Sequence, residues 1–209
     1  ALGHELVEYG PRVDFEEFAQ HVNVLWCAFA AQFVEQMTRQ PGVEADVRHF
    51  EAVTLTCAAF GAASTALDVL AALDYVNRIT RETAALFDEI DCLLSPTLAT
   101  PPPVHGTLDQ NDASLSAMDW TRQTFRYATN TPLFNATGQP AISLPLHWTA
   151  DGLPVGVQFA GRMGEEGMLL SLATQLEEAT QWRERQAVAL RAGPPTAESA
   201  ARPPADDGA

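Results

Sequence analysis

The chain has 209 residues, 46% of them apolar, and a formal net charge of −15. That length and apolar share suit one globular domain or a large piece of one, and the acidic surface excludes nucleic acid and anionic lipid, whose phosphates it repels. No uncharged apolar run reaches the roughly 18 residues of a membrane span, and no basic-then-apolar signal segment opens the sequence, so no membrane partner is expected.

Cys27, Cys57 and Cys92 are odd in number, far apart and without a CxxC pair, which favours reduced thiols and a cytoplasmic location over a disulfide framework or zinc site. His49, His105 and His147 show no ligand spacing, so neither a metal nor a cofactor is expected.

Residues 2–9 (LGHELVEY) alternate weakly and are expected to form a short strand, with His4 at the surface or locally satisfied. Because the chain starts inside that strand and without Met, it is expected to be a fragment. Asp14-Phe-Glu-Glu17 then opens a helix, the Asp14 carboxylate accepting from backbone N–H groups that lack a helical partner. Phe15, Phe18, Val22, Leu25, Phe29 and Phe33 follow at three- and four-residue steps and predict its inward stripe. Pro41-Gly42 ends it.

A second helix is expected over 46–61 with Val47, Phe50, Val53 and Cys57 inward. A third is expected over 64–88 with Val69, Leu73, Val76, Thr83 and Phe87 inward. The small residues Gly61-Ala-Ala-Ser64 between them permit a bend or a close helix contact. Ile90–Leu94 is expected as a buried strand ending at Ser95-Pro96. The segment 97–112 holds Pro101, Pro102, Pro103 and Gly106, which makes it stiff and extended. Another helix is expected over 114–129, with Trp120, Thr124 and Tyr127 on one side.

Thr131–Gly161 is the most informative stretch: TPLFNATGQPAISLPLHWTADGLPVGVQFAG. It predicts a Pro/Gly/Asn-rich loop, a strand, a turn and a second strand. Leu153, Val155, Val157 and Phe159 share one face of the second strand, with Pro154, Gly156, Gln158 and Ala160 on the other. Asp151-Gly152 suits the hairpin turn, and Pro145, lacking an N–H, places the first strand at an edge or bend. A last helix is expected over 165–182, with Leu169, Leu172, Leu176 and Ala179 inward. The Pro/Ala/Ser/Asp-rich tail 193–209 is expected to be disordered, leaving 1–192 as the folded portion. The fold class is α/β: a mixed β-sheet with flanking helices.

The strings FNATGQPAISLPL and DGLPVGVQFAGR resemble the C-terminal hallmark of the amidase signature hydrolases, and LLSPTLATPPP at Leu93–Pro103 resembles a strand and proline turn of the same family. The resemblance covers residues 1–182 and matches the family's second half. SPTLATPPPVHG together with TPLFNATGQP looks closest to amidases of the nylon-oligomer cyclic-dimer hydrolase type.

The resemblance implies cleavage of a carboxylic amide through a serine acyl-enzyme, managed by a Ser–cisSer–Lys triad. All 12 basic residues here are arginine and there is no lysine. Arg cannot deprotonate to replace it. The family's Gly/Ser-rich nucleophile segment is missing too, so no catalytic residue is expected in this chain. The implied partners are a small-molecule amide and the N-terminal half of the amidase domain, with a homodimer left open.

Residues implied to reach substrate are Trp26, Cys27, Thr97, Asn130, Phe134 and Asn135. Two readings stay open for Trp26-Cys27, core packing or pocket wall, and two for the 97–112 segment, connector or cleft wall. Asn135 and Gly138 read as loop braces or substrate contacts. Asn130 stands where similar amidases carry an aromatic residue. Ala128 stands where the glutamine-using members carry an acid, which argues against an amidotransferase subunit. Asp88, Glu89 and Asp91 read as a solvated helix end rather than an acid–base pair, because nothing apolar surrounds them. The rival to the enzyme is a non-catalytic split or degenerate product that only binds.

Overall fold

A computed structural model describes residues 2–10 and 13–184. The elements run α1 (Phe15–Thr38), α2 (Ala52–Ala63), α3 (Ala66–Leu86), β1 (Cys92–Pro96), α4 (Ala117–Tyr127), α5 (Thr131–Thr137), β2 (Ala141–Trp148), β3 (Pro154–Gly161) and α6 (Glu166–Thr180). The expected α/β class is present. The described sheet has the order β1-β3-β2 with both pairings antiparallel. The tail 193–209 lies outside the described residues.

Asp14 caps α1 as its chemistry predicts, its Oδ1 accepting from the Glu17 N–H at 2.8 Å. The inward face, however, is turned from the expected one. Phe18, Val22, Asn23, Cys27 and Val34 are buried, whereas Phe29 and Phe33 are exposed. The cause is α2, which lies so close that only small α1 side chains fit beneath it: a Cβ at Gly61 would stand 1.9 Å from the Cys27 carbonyl oxygen. Phe33 is pushed to the rim, where its ring meets Phe50 edge-on.

The second helix starts six residues later than expected. Asp46 is spent on a turn, accepting from the Arg48 backbone and side chain, and Val47 is left exposed. In α3 the buried line is Ala72, Tyr75, Ile79 and Thr83, continued by Phe87, while Leu73 faces out. In α4 it is Ala117, Thr121 and Phe125, one step round from the expected Trp120–Thr124–Tyr127 side. Capping boxes closed by Asp start both helices, Thr65 with Asp68 and Ser116 with Asp119.

The main core gathers Phe18, Val22, Tyr75, Ile79, Phe125 and Leu133. Each fully buried side chain of this size stabilises the fold by about 1.5–3 kcal/mol. Inside it, the Asn23 Oδ1 accepts from the Thr121 Oγ1 at 2.8 Å and the Cys27 Sγ at 3.4 Å, tying α1 to α4.

The hairpin forms as expected, with Gly152 at φ +82° in its turn. β2 is an outer strand, and its register slips between Leu144 and His147, where Pro145 cannot donate to the ladder. Val157 and Phe159 of the central β3 pack toward α6 with Leu144 and Leu169, while Ala160 on the opposite face joins the main core.

Two expected elements differ. The strand over 2–9 does not form: the segment has no regular secondary structure, is exposed, and is held to α6 by a 2.8 Å bond between His4 Nε2 and Gln175 Oε1. The loop expected at 131 is the short helix α5, with Pro132 in its first turn, where a missing N–H costs nothing, and Gly138 ending it at φ +80°.

Candidate functional site

The family-like stretches meet at one cleft. β1 ends at Pro96, and the Thr97 N–H donates to the Gly156 carbonyl at 3.0 Å, so Thr97 stays in line with the sheet. Its Oγ1 lies 2.6 Å from the Ser143 Oγ of β2. Gly156 lies between these two strand ends, where a Cβ would stand 2.8 Å from Thr97 Oγ1 and 3.0 Å from Ser143 Oγ. Glycine is what lets the two hydroxyls meet. The Asn130 Nδ2 donates to the Pro96 carbonyl at 2.8 Å and so pins the start of α5 to the end of β1.

These ties leave a cleft of about 260 Å³ between α5 and the sheet. Thr97, Thr131, Phe134 and Asn135 line one part of it, and Gln139, Ala141, Ile142, Ser143 and Gln158 the rest. No lining residue is charged. Phe134 is buried beneath the cleft, and Asn135 is exposed at it. Gln139 and Gln158 are each 4% exposed, yet both Gln139 amide atoms and the Gln158 Nε2 have no protein hydrogen-bond partner.

Of the residues proposed from sequence, Thr97, Phe134 and Asn135 come together here, with Asn130 bracing the wall. Trp26 and Cys27 do not line this cleft. The Trp26 ring stands edge-on to Phe125 with centroids 5.2 Å apart, and Cys27, 1% exposed, sits in the seam of α1 and α2. The side-chain interaction with Cys57 and burial push the Cys27 thiol up, whereas the same interaction draws the Cys57 thiol down to about 7.

Sequence reasoning missed Gln139, Ser143 and Gln158. Polar residues between the apolar positions of strands signal a second face, but the signal does not say whether that face is solvated. Asp88 is paired with Arg162 at 3.1 Å at the exposed end beyond α3. A second cleft, about 480 Å³, is lined by Glu8, Tyr9, Glu82 and Thr83 among others and shares no residue with the first. No single helix among the described residues is long and apolar enough to cross a membrane.

The Amidase family profile matches residues 1–170, and the chain belongs to that family. Its structure superposes on 6-aminohexanoate cyclic dimer hydrolase with a TM-score of 0.73 at 25% identity, over 87% of this chain and 38% of that one. A bacterial aryl acylamidase of the amidase signature family shares the fold, with a TM-score of 0.64 at 20% identity over 91% of this chain and 39% of that one.

Among sequence relatives, AmiC of Mycobacterium leprae (strain TN), which carries an amidase name, is 45% identical over 107 residues, 51% of this chain and 22% of that protein. AmiA2 of Mycobacterium tuberculosis (strain ATCC 25618 / H37Rv), also named an amidase, is 29% identical over 189 residues, 88% of this chain and 36% of the relative. The chain thus spans less than two fifths of these relatives and solved structures.

Proposed function

We propose that this chain is the C-terminal portion of an amidase-signature hydrolase, and that the whole enzyme cleaves the C–N bond of a neutral carboxylic amide. The observation that carries the reading is the uncharged cleft where the two family-like stretches meet at Thr97, Phe134 and Asn135, within a region matched end to end by the family profile. In this reading a serine of the N-terminal half attacks the carbonyl, a second serine passes the proton and a lysine accepts and returns it. Backbone N–H groups of that half hold the oxyanion.

This chain supplies the cleft wall. Asn130 holds the wall in register with β1, and Phe134 gives it an apolar floor that favours uncharged acyl chains. Cys27 serves the seam of α1 and α2, and Trp26 covers Phe125 of α4. With no lysine among its 209 residues, the chain has no proton manager of its own. The similarity to 6-aminohexanoate cyclic dimer hydrolase supports linear or cyclic oligoamides as the substrate class.

The test is complementation. The chain alone is expected to leave aryl, aliphatic and cyclic amides intact. Joining it to the N-terminal half of an amidase-signature domain should restore turnover, and replacing the lysine of that half should abolish it again. Turnover by the isolated chain would overturn the division of labour. An assembled domain that folds but cleaves nothing would favour a purely binding role.

A further inference from the structure

We propose that Gln139 and Gln158 form a carboxamide-binding subsite in the cleft beneath α5, which recognises an amide group of the ligand through complementary donors and an acceptor. The inference builds on the amide-cleft reading above but concerns binding, so it is tested apart from catalysis.

Both glutamines are 4% exposed and both line the cleft, yet Gln139 Nε2, Gln139 Oε1 and Gln158 Nε2 have no protein partner. A buried polar group left unpaired loses its bonds to water and gains none in return, which is destabilising. Two such side chains on one cleft wall are a concentrated expense, unlike the rest of the core, where Asn23 and Thr121 bond each other and Thr137 bonds the Leu133 carbonyl at 2.9 Å. The sequence does not need glutamine to fill this volume, since leucine or methionine would fill it without orphaned atoms. The polarity is therefore better explained by a ligand than by the fold.

The unpaired atoms specify the ligand. Two amide NH₂ groups offer donors and one amide oxygen offers an acceptor, so the matching group must accept twice and donate once. A carboxamide does this, its C=O accepting and its N–H donating. A ketone accepts but cannot satisfy Gln139 Oε1. A carboxylate also lacks the donor, and would bring a negative charge into a cleft with no lining cation, on a chain of net charge −15. The Thr97–Ser143 hydroxyl pair, fixed by Gly156, leaves a further hydroxyl to orient the group. In an amidase whose triad lies on the other half, a subsite here selects substrates by amide recognition from this half's wall.

The experiment uses the full 209-residue chain and three probes of matched length: hexanamide, 2-heptanone and hexanoate. Titration followed by the side-chain amide NMR signals of glutamine is expected to show saturable binding of hexanamide, with 2-heptanone and hexanoate at least about tenfold weaker, the loss of one buried hydrogen bond. Gln139→Leu and Gln158→Leu are each expected to weaken hexanamide about tenfold while the melting temperature holds or rises, because an orphaned buried amide has been removed. A lowered melting temperature in both variants would make the glutamines structural and overturn the proposal. So would native-like hexanamide affinity in both, equal affinity for all three probes, or no saturable binding. If the assembled enzyme of the preceding section is inactive while hexanamide still binds and the variants lose it, the catalytic reading fails and the subsite stands.

Discussion

Gly61 of α2 rests directly on the carbonyl of Cys27 in α1, so closely that a Cβ at position 61 would lie 1.9 Å from the oxygen and 2.7 Å from the Ala28 nitrogen. All the opposing atoms are backbone, so no side chain can swing away to make room. This contact sets the depth at which the two helices pack. It also decides which α1 residues end up beneath α2.

Gly61→Ala is therefore expected to destabilise the chain by at least about 1–3 kcal/mol through overpacking. The sign is diagnostic, because alanine is the better helix former by about 1 kcal/mol when nothing opposes it. Urea denaturation measures it. A midpoint above the native one would mean that the helices do not meet at Gly61.

Phe125 is 1% exposed and meets the rings of Phe15, Phe18 and Trp26 at 6.3, 5.7 and 5.2 Å. Phe125→Ala should cost about 3–5 kcal/mol, the usual loss for emptying an aromatic core position. Trp26→Ala, at a ring 44% exposed, should cost clearly less. Equal losses in thermal melts would place Trp26 in the core after all.

Acid should loosen the join between α1 and α4. The Arg122 guanidinium, which donates to both Glu16 oxygens, holds that carboxyl below its ordinary 4.5. A carboxylate depressed in the folded state contributes stability above its unfolded pKa and loses it as pH falls through the folded value. Glu16→Gln should thus lower the melting temperature slightly near neutrality and leave it unchanged well below pH ~4, with the exposed setting keeping the difference small. A difference that persists undiminished in acid would show that Arg122 does not act through charge.

Thiol labelling separates the two seam cysteines. The side-chain interaction with Cys27 draws Cys57 down from 9.0 to about 7, while Cys27 itself is pushed up and 1% exposed. Near neutral pH, a small maleimide is expected to label Cys57 before Cys27, as read by peptide mass spectrometry. Faster labelling of Cys27 in the folded chain would contradict the burial seen here.

Features controlled by neighbours in the chain were legible from the sequence. Asp14 caps α1 because its carboxylate reaches an N–H three residues away. Asp151-Gly152 turns the hairpin because glycine takes φ +82° without strain. Pro145 marks the irregular outer strand because it has no N–H to give the ladder. The family-like strings lie in these same local devices, and Thr97, Phe134 and Asn135 were placed through them. TPLFNAT shows how even a local signal divides: proline and glycine read as loop, yet Pro132 in a first turn and Gly138 at a left-handed end are equally the marks of a short helix.

The rest was decided by contacts between residues far apart in sequence. Apolar spacing shows that α1 has a buried face, but the Gly61–Cys27 contact turned that face away from Phe29 and Phe33 and brought in Asn23 and Cys27. Residues 2–9 alternate like a strand, but a strand also needs a neighbouring strand in register, which alternation cannot supply, and the segment takes no strand conformation. Gln139 and Gln158 read as ordinary polar positions until the tertiary fold takes both from water. Periodicity records which side chains avoid solvent; only tertiary packing determines what each of them meets there, and whether a polar atom finds a partner.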